Sequence, residues 1–195
     1  MIQEGPVDEV APPPERAPEP SKRPLVLGVM GSLLAVDLAS KAWIQGNLSY
    51  GHSLSLWGDW VRLTYLLNPG AAFGLNVGEW SRTVFATLAI VAVGVILMIV
   101  RETPAQDRVR HSALALILGG AVGNLLDRLR SHGAVVDFLD VGFGGARWPV
   151  FNIADVGVTT GAILLVALLW GDRGSPAALP SAGEPTGGSD PAPAP

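Results

Sequence analysis

Residues 151–170 read FNIADVGVTTGAILLVALLW, in which Asn152 and Asp155 open a run that stays almost wholly apolar to Trp170. About 20 such residues in a helix cross the hydrocarbon of a bilayer. An ionised acid at the edge of hydrocarbon is costly, so it marks a functional candidate rather than a neutral surface choice. A second segment, Val135-Val136-Asp137-Phe138-Leu139, also sets one carboxylate among apolar neighbours. The pair points to carboxylate chemistry worked at a membrane surface.

The whole chain agrees with a membrane setting. Of its 195 residues 49% are hydrophobic and only 15% charged, an unusual balance for a water-soluble domain. The ends dilute that balance. Residues 1–21 hold six prolines and five acids, and residues 174–195 hold six prolines among Gly, Ala and Ser. Neither end has enough apolar surface to offset its ordering entropy, so both are expected to be disordered tails. One four-helix domain over residues 22–173 accounts for the rest.

Four stretches qualify as spans: residues 24–43, 83–100, 112–126 and 152–170. The third reaches spanning length only by including Asp127 and Arg128, which places those two at depth. The first has the charge and length of a signal sequence at its start, but it runs on through Asp37 and Lys41 to Trp43 without a persuasive cleavage site, so a retained anchor is expected. Small residues recur four apart at Gly119 and Gly123, Gly157 and Gly161, and Gly31 and Ala35, spacing that lets helices pack closely.

Lys22 and Arg23 precede the first span, Arg101, Arg108 and Arg110 lie between the second and third, and Arg173 follows the fourth. Four spans put all of these on one side, the cytoplasm, together with both termini. The connectors 45–82 and 129–151 then face outward. In the first, residues 53–56 and 61–66 alternate apolar and polar around Gly58-Asp59, the pattern of a hairpin. Trp43, Trp57, Trp60, Trp80 and Trp148 fall in or beside the outer segments, as in an interfacial aromatic belt. The expected fold is an all-α membrane protein, a four-transmembrane-helix bundle with a small β platform on its outer face.

The polar residues inside the spans converge on that outer level. Asn124, Asp127 and Arg128 share one helical face, Asn152 and Asp155 lie three apart at the start of the fourth span, and Asp37 and Lys41 lie four apart. Asp37 with Lys41, and Asp127 with Arg128, also read as neutralised pairs that pin helix ends. Asp155 can also cap the fourth helix, but capping alone does not explain why both acids are embedded in apolar sequence. Two carboxylates brought close do not both ionise easily, so one proton is held between them; one acid can then activate water while the other protonates a carbonyl or amine. A proton relay through Asp37, Asp127 and Asp155, or a scaffold without catalysis, remains open from these residues alone, although four spans show no inverted repeat.

Other chemistries have little support. The chain has no cysteine, and its three histidines, His52, His111 and His132, are dispersed, so no metal or other cofactor is expected. Ser40 and Lys41 are adjacent and point about 100° apart on a helix, which disfavours a Ser–Lys dyad. Glycines between 142 and 145 lack the Lys and Ser/Thr of a phosphate loop and read as a turn. Basic residues form no stripe suited to nucleic acid.

Five motifs in order give a specific resemblance. They are Asp37-x-x-x-Lys41, Asn68-Pro69-Gly70-Ala71-Ala72-Phe73-Gly74, Gly119-Gly120-Ala121-x-Gly123-Asn124-Leu125-x-Asp127-Arg128, Val136-Asp137-Phe138 and Phe151-Asn152-x-Ala154-Asp155. The core from about residue 36 to 165 resembles the bacterial lipoprotein signal peptidases (signal peptidase II). The two tails are not part of that pattern.

The resemblance implies a hydrolase of the bacterial cytoplasmic (inner) membrane. It would be an aspartic endopeptidase of lipoprotein processing that removes signal peptides from diacylglyceryl-modified prolipoproteins, cutting before the lipidated cysteine. It assigns catalysis to Asp137 and Asp155, substrate binding or orientation of the dyad to Asn68, Asn124, Arg128 and Asn152, and support to Asp37, Lys41 and Asp127. It further implies membrane lipid and a lipidated prolipoprotein as partners, inhibition by globomycin-type cyclic peptides, and a site near the outer leaflet. A complete site in one chain makes a monomer sufficient.

Overall fold

The structure is a computed structural model that describes residues 21–70, 78–131 and 133–172. The tails at 1–20 and 173–195, the Ala71–Gly74 part of the second motif (71–74) and His132 lie outside the described residues. Four helices are long and apolar enough to cross a membrane: α1 (Arg23–Asn47), α2 (Ser81–Glu102), α3 (Arg108–Arg130) and α4 (Ile153–Asp172). The chain is a multi-pass membrane protein.

Helix ends follow local chemistry. Pro24 stands in the first turn of α1, where its missing N–H costs nothing. Asp107 caps α3 by accepting from Arg110 N at 2.9 Å. Lys22 reaches across from the start of α1 and donates to the carbonyls of Val100, Arg101 and Thr103, filling the open end of α2 at 2.6 to 2.8 Å.

Helix α3 is central and packs against α1, α2 and α4. Its mean hydropathy is 1.3, against 2.8 for the α2 span, because its polar residues face protein while α2 offers apolar side chains outward. Close approach requires glycine here. A Cβ at Gly120 would strike the Ala154 carbonyl, one at Gly123 would lie 2.7 Å from Asp37 Oδ2, and one at Gly161 would lie 2.5 Å from the Ala113 carbonyl. Gly31, also picked out by that spacing, has nothing within 4 Å and is not a point of close approach.

At one end of the bundle sits an antiparallel four-stranded sheet in the order β1-β2-β3-β4. The hairpin read from alternation forms as β1 (Ser53–Trp57) and β2 (Val61–Asn68). Residues 135–139, read as an acid at the hydrocarbon edge, are instead the start of β3 (Val135–Phe143), paired with β2 so that Asp137 stands opposite Leu66. Gly144 and Gly145, with φ of 57° and 87°, form the two-residue turn into β4 (Ala146–Arg147). Ile44, Val136 and Phe138 are buried together and join the platform to the end of α1. Aromatic side chains on this platform stay open, with Trp57, Trp60, Phe143 and Trp148 all exposed.

Gly120→Ala is expected to lower stability by about 1–3 kcal/mol, because the Ala154 carbonyl is backbone and cannot step aside. Gly28→Ala, with nothing within 4 Å, is expected to be neutral or slightly stabilising. Thermal unfolding in detergent compares the two; equal losses would contradict this packing.

Candidate active site

The first turn of α4 builds one side of the site. Asn152 is the N-cap and its Oδ1 accepts from Asp155 N at 2.9 Å, while Asp155 Oδ2 accepts from Asn152 N at 3.2 Å. This reciprocal pair is a capping box made with Asn and Asp. Asp37 reaches over from α1 and accepts from Ala154 N at 2.9 Å, so a third helix-end N–H is paired. The capping reading of Asp155 is therefore realised, and it leaves Asp155 Oδ1 free to accept from Asn124 Nδ2 at 2.8 Å.

Strand β3 brings the second carboxylate. Phe151 is bridged to Leu139, with Phe151 N donating to Leu139 O at 3.1 Å and Leu139 N returning to Phe151 O at 2.7 Å. That bridge ties β3 to the residue just before the α4 cap. Asp137 Oδ1 accepts from Asn152 Nδ2 at 2.7 Å, and its Oδ2 accepts from Asn68 Nδ2 at 3.0 Å. Asn152 thus touches both acids, one through its side-chain amide and the other through its backbone and carbonyl oxygen. Asp137 and Asp155 line one cavity of about 880 Å³, which runs from Asn68 and Asn124 past Trp148 to Thr159 and Thr160 on α4.

Behind the pair lies a buried charge cluster. Lys41, 2% exposed, donates to Asp37 Oδ2 at 2.7 Å and pairs with Asp127 Oδ2 at 2.8 Å. It also donates to Asn124 Oδ1 at 3.2 Å. Asp127 in turn accepts from Val136 N at 3.1 Å and so fastens α3 to β3. The Asp127–Arg128 pair considered from sequence does not form. Neighbours in a helix point apart, and Arg128 instead donates to the carbonyls of Gly70 and Asn124, both at 3.1 Å, beneath the Phe85 ring.

All nine sequence-selected residues therefore meet at the junction of α1, α3, α4, β2 and β3. The sequence reading missed a network that holds β3 itself: Asp140 accepts from Thr64 Oγ1 at 2.8 Å and from Arg147 Nε at 2.5 Å. Its signal was Asp140 standing three residues after Asp137 in the same apolar run, with Arg147 just beyond the glycine turn. Among the described residues no group of three or more His, Cys, Asp or Glu side chains is disposed to hold a metal, and Lys41 fills the space between Asp37 and Asp127.

Burial pushes the Asp137 carboxyl up from 3.8 to about 6, and the nearby Asp155 charge adds to the rise. Hydrogen bonds from Asn68 and Asn152 act in the opposite sense but do not cancel it. A carboxyl in this state holds its proton where an exposed acid has lost it.

A profile described as signal peptidase (SPase) II matches residues 29–170. The chain belongs to the signal peptidase II family. A lipoprotein signal peptidase of Serratia proteamaculans (strain 568) is 43% identical over 136 residues, covering 69% of this chain and 79% of the relative. One from Moorella thermoacetica (strain ATCC 39073 / JCM 9320) is 44% identical over 133 residues, covering 68% and 84%. A bacterial membrane enzyme solved by the in meso method at 2.3 Å resolution superposes with a TM-score of 0.72 at 26% identity, covering 80% of this chain and 94% of the other. As a member of the signal peptidase II family, the chain is a membrane protease of the aspartic class.

Because the folded carboxyl of Asp137 titrates higher than the unfolded one, the folded state holds the extra proton between about pH 4 and 6. The stability it contributes is present below that window and is lost as pH rises through it. Asp137→Asn is expected to flatten that loss, and the Asp137 carboxyl ¹³C resonance to titrate near 6. A midpoint near 4 would contradict the burial argument.

Proposed function

We propose that Asp137 and Asp155 are the catalytic pair that cleaves the signal peptide of a diacylglyceryl-modified prolipoprotein, before its lipidated cysteine. The observation that carries this reading is the shared cavity in which two carboxylates are held by one residue, Asn152, in different surroundings. Family membership and the relatives' printed names support the substrate class.

The two environments support an assignment of roles. Asp137, the acid raised by burial, carries the proton. Asp155 acts as the base, with its oxygens accepting from Asn124 and from the N-cap N–H at the positive end of α4. Asp155 takes a proton from a water as that water attacks the scissile carbonyl, and Asp137 gives its proton to the carbonyl oxygen. Collapse of the tetrahedral intermediate then breaks the C–N bond; the proton from Asp155 passes to the cysteine amine, and the hydroxyl proton returns to Asp137. Asn68 and Arg128 line the cavity and both bond to the Gly70 backbone, where they suit a substrate backbone.

The membrane does much of the binding in this reading. Each buried methylene contributes about 0.8 kcal/mol, so two acyl chains hold the substrate before any peptide contact forms. The site then lies near the outer leaflet of the bacterial cytoplasmic membrane, both termini are cytoplasmic, and one chain suffices. The same cavity would accept a globomycin-type cyclic peptide.

Asp137→Asn and Asp155→Asn are each expected to lower cleavage of a lipidated prolipoprotein by a hundredfold or more, roughly the contribution of a positioned acid or base. Full activity in either removes that residue from the mechanism. The alkaline limb of kcat/KM is expected near the Asp137 value of about 6, where its proton is lost. The same limb in kcat moves higher, because bound substrate excludes water and favours the neutral acid. A kcat limb below that of kcat/KM would count against Asp137 as the acid.

A further inference from the structure

We propose that Lys41 is a positioning residue: its buried ammonium fixes which way the Asn124 amide faces and, through that amide, the orientation of both carboxyls. This rests on the dyad reading above. Lys41 Nζ has three donors and three acceptors around it, Asp37 Oδ2, Asp127 Oδ2 and Asn124 Oδ1. Asn124 Oδ1 also accepts from Asn152 Nδ2 at 3.1 Å.

A flipped Asn124 would set its NH₂ against the Lys41 ammonium and the Asn152 NH₂, donor facing donors, and would turn its carbonyl toward the Asp155 carboxylate. Buried polar groups left in that state cost the full desolvation of each atom. Only one amide orientation is therefore satisfied. In it Asn124 Nδ2 points at Asp155 Oδ1, and the same Asn124 oxygen steadies the Asn152 amide that donates to Asp137 Oδ1.

Lys41 touches neither carboxyl of the pair by hydrogen bond. The charged groups around this junction are Asp37 and Lys41 from α1, Asp127 and Arg128 from α3, Asp137 from β3 and Asp155 from α4. Lys41 is set apart among them because its one amide contact feeds both acids.

Removing the ammonium alone would leave Asp37 and Asp127 facing each other unpaired, so Lys41→Met is made in an Asp127→Asn chain, where one carboxylate leaves with the ammonium. The double variant returns the buried cluster to its wild-type net charge, and the charge step that Lys41→Met adds is the same with and without Asn124. The amide oxygen introduced by Asp127→Asn would still accept from Val136 N. Activity is scored per folded molecule on a lipidated prolipoprotein. Adding Lys41→Met to Asp127→Asn is expected to lower kcat on the order of tenfold, the size of one charge-assisted hydrogen bond, with KM within about twofold. When Asn124→Ala is also present, the same addition is expected to change kcat by less than about twofold, since the amide it acts through is gone.

Lys41→Gln in the Asp127→Asn chain keeps a donor for Asn124 and is expected to recover part of the loss; it carries the same comparison should the Met chain not fold. Equal losses with and without Asn124, no loss with Asn124 present, or a raised KM at unchanged kcat would overturn the positioning role. Asp137→Asn, assayed alongside, separates the two claims. Activity there sinks the dyad, whereas an inactive Asp137→Asn with equal losses in both backgrounds sinks only the role of Lys41.

Discussion

The start of α4 leaves peptide N–H groups pointing into a region where water is scarce, and the rest of the site is arranged around pairing them. Asn152 and Asp155 pair two within their own turn, and Asp37 pairs a third from α1. A buried helix end without partners is costly, and the positive end of the helix favours carboxylates. Bringing Asp37 to this point creates a new demand, a buried carboxylate in need of a cation, which Lys41 meets one turn along the same helix. Gly120 and Gly123 follow from it as well, because α3 must pass close enough for Asp37 and Ala154 to meet.

The β platform turns that helix end into a two-acid site. β3 is fastened on three sides: to β2 along the sheet, to Phe151 by the bridge at Leu139, and to α3 through Asp127 and Val136 N. Asp140 with Thr64 and Arg147 fixes the far half of the strand. Asp137 is therefore held by a sheet and Asp155 by a helix, and their surroundings differ accordingly. One is desolvated among apolar strand residues, the other sits against helix N–H groups and an amide. In the proposed mechanism such divergence lets two chemically identical side chains take the roles of acid and base.

Much of this was legible in the residues. Apolar runs near 20 residues gave the four spans, and period-two alternation around Gly58 gave the first hairpin. Asp137 and Asp155 stood out because ionised acids among apolar residues are expensive. Strand β3 was not legible as a strand: residues 135–139 carry no alternation, since both faces are covered and its pairing partner β2 is far away in sequence. The Asp127–Arg128 pairing failed for a related reason. Adjacency along a helix places side chains on different faces, and the partner of Asp127 proved to be Lys41 on another helix. The small-residue rule found Gly123 and Gly161 but also Gly31, because spacing reports a capacity for close approach and not which face meets a neighbour.

Hydrolysis by this pair requires the two carboxyls to converge on one water. A crystal structure of the protein in a lipid mesophase, at a resolution that orders water, measures this directly. A single water within hydrogen-bond distance of both Asp137 and Asp155, at the cavity wall they share, is the expected result. Carboxyl groups turned away from each other, each hydrated separately with no common water, would contradict it.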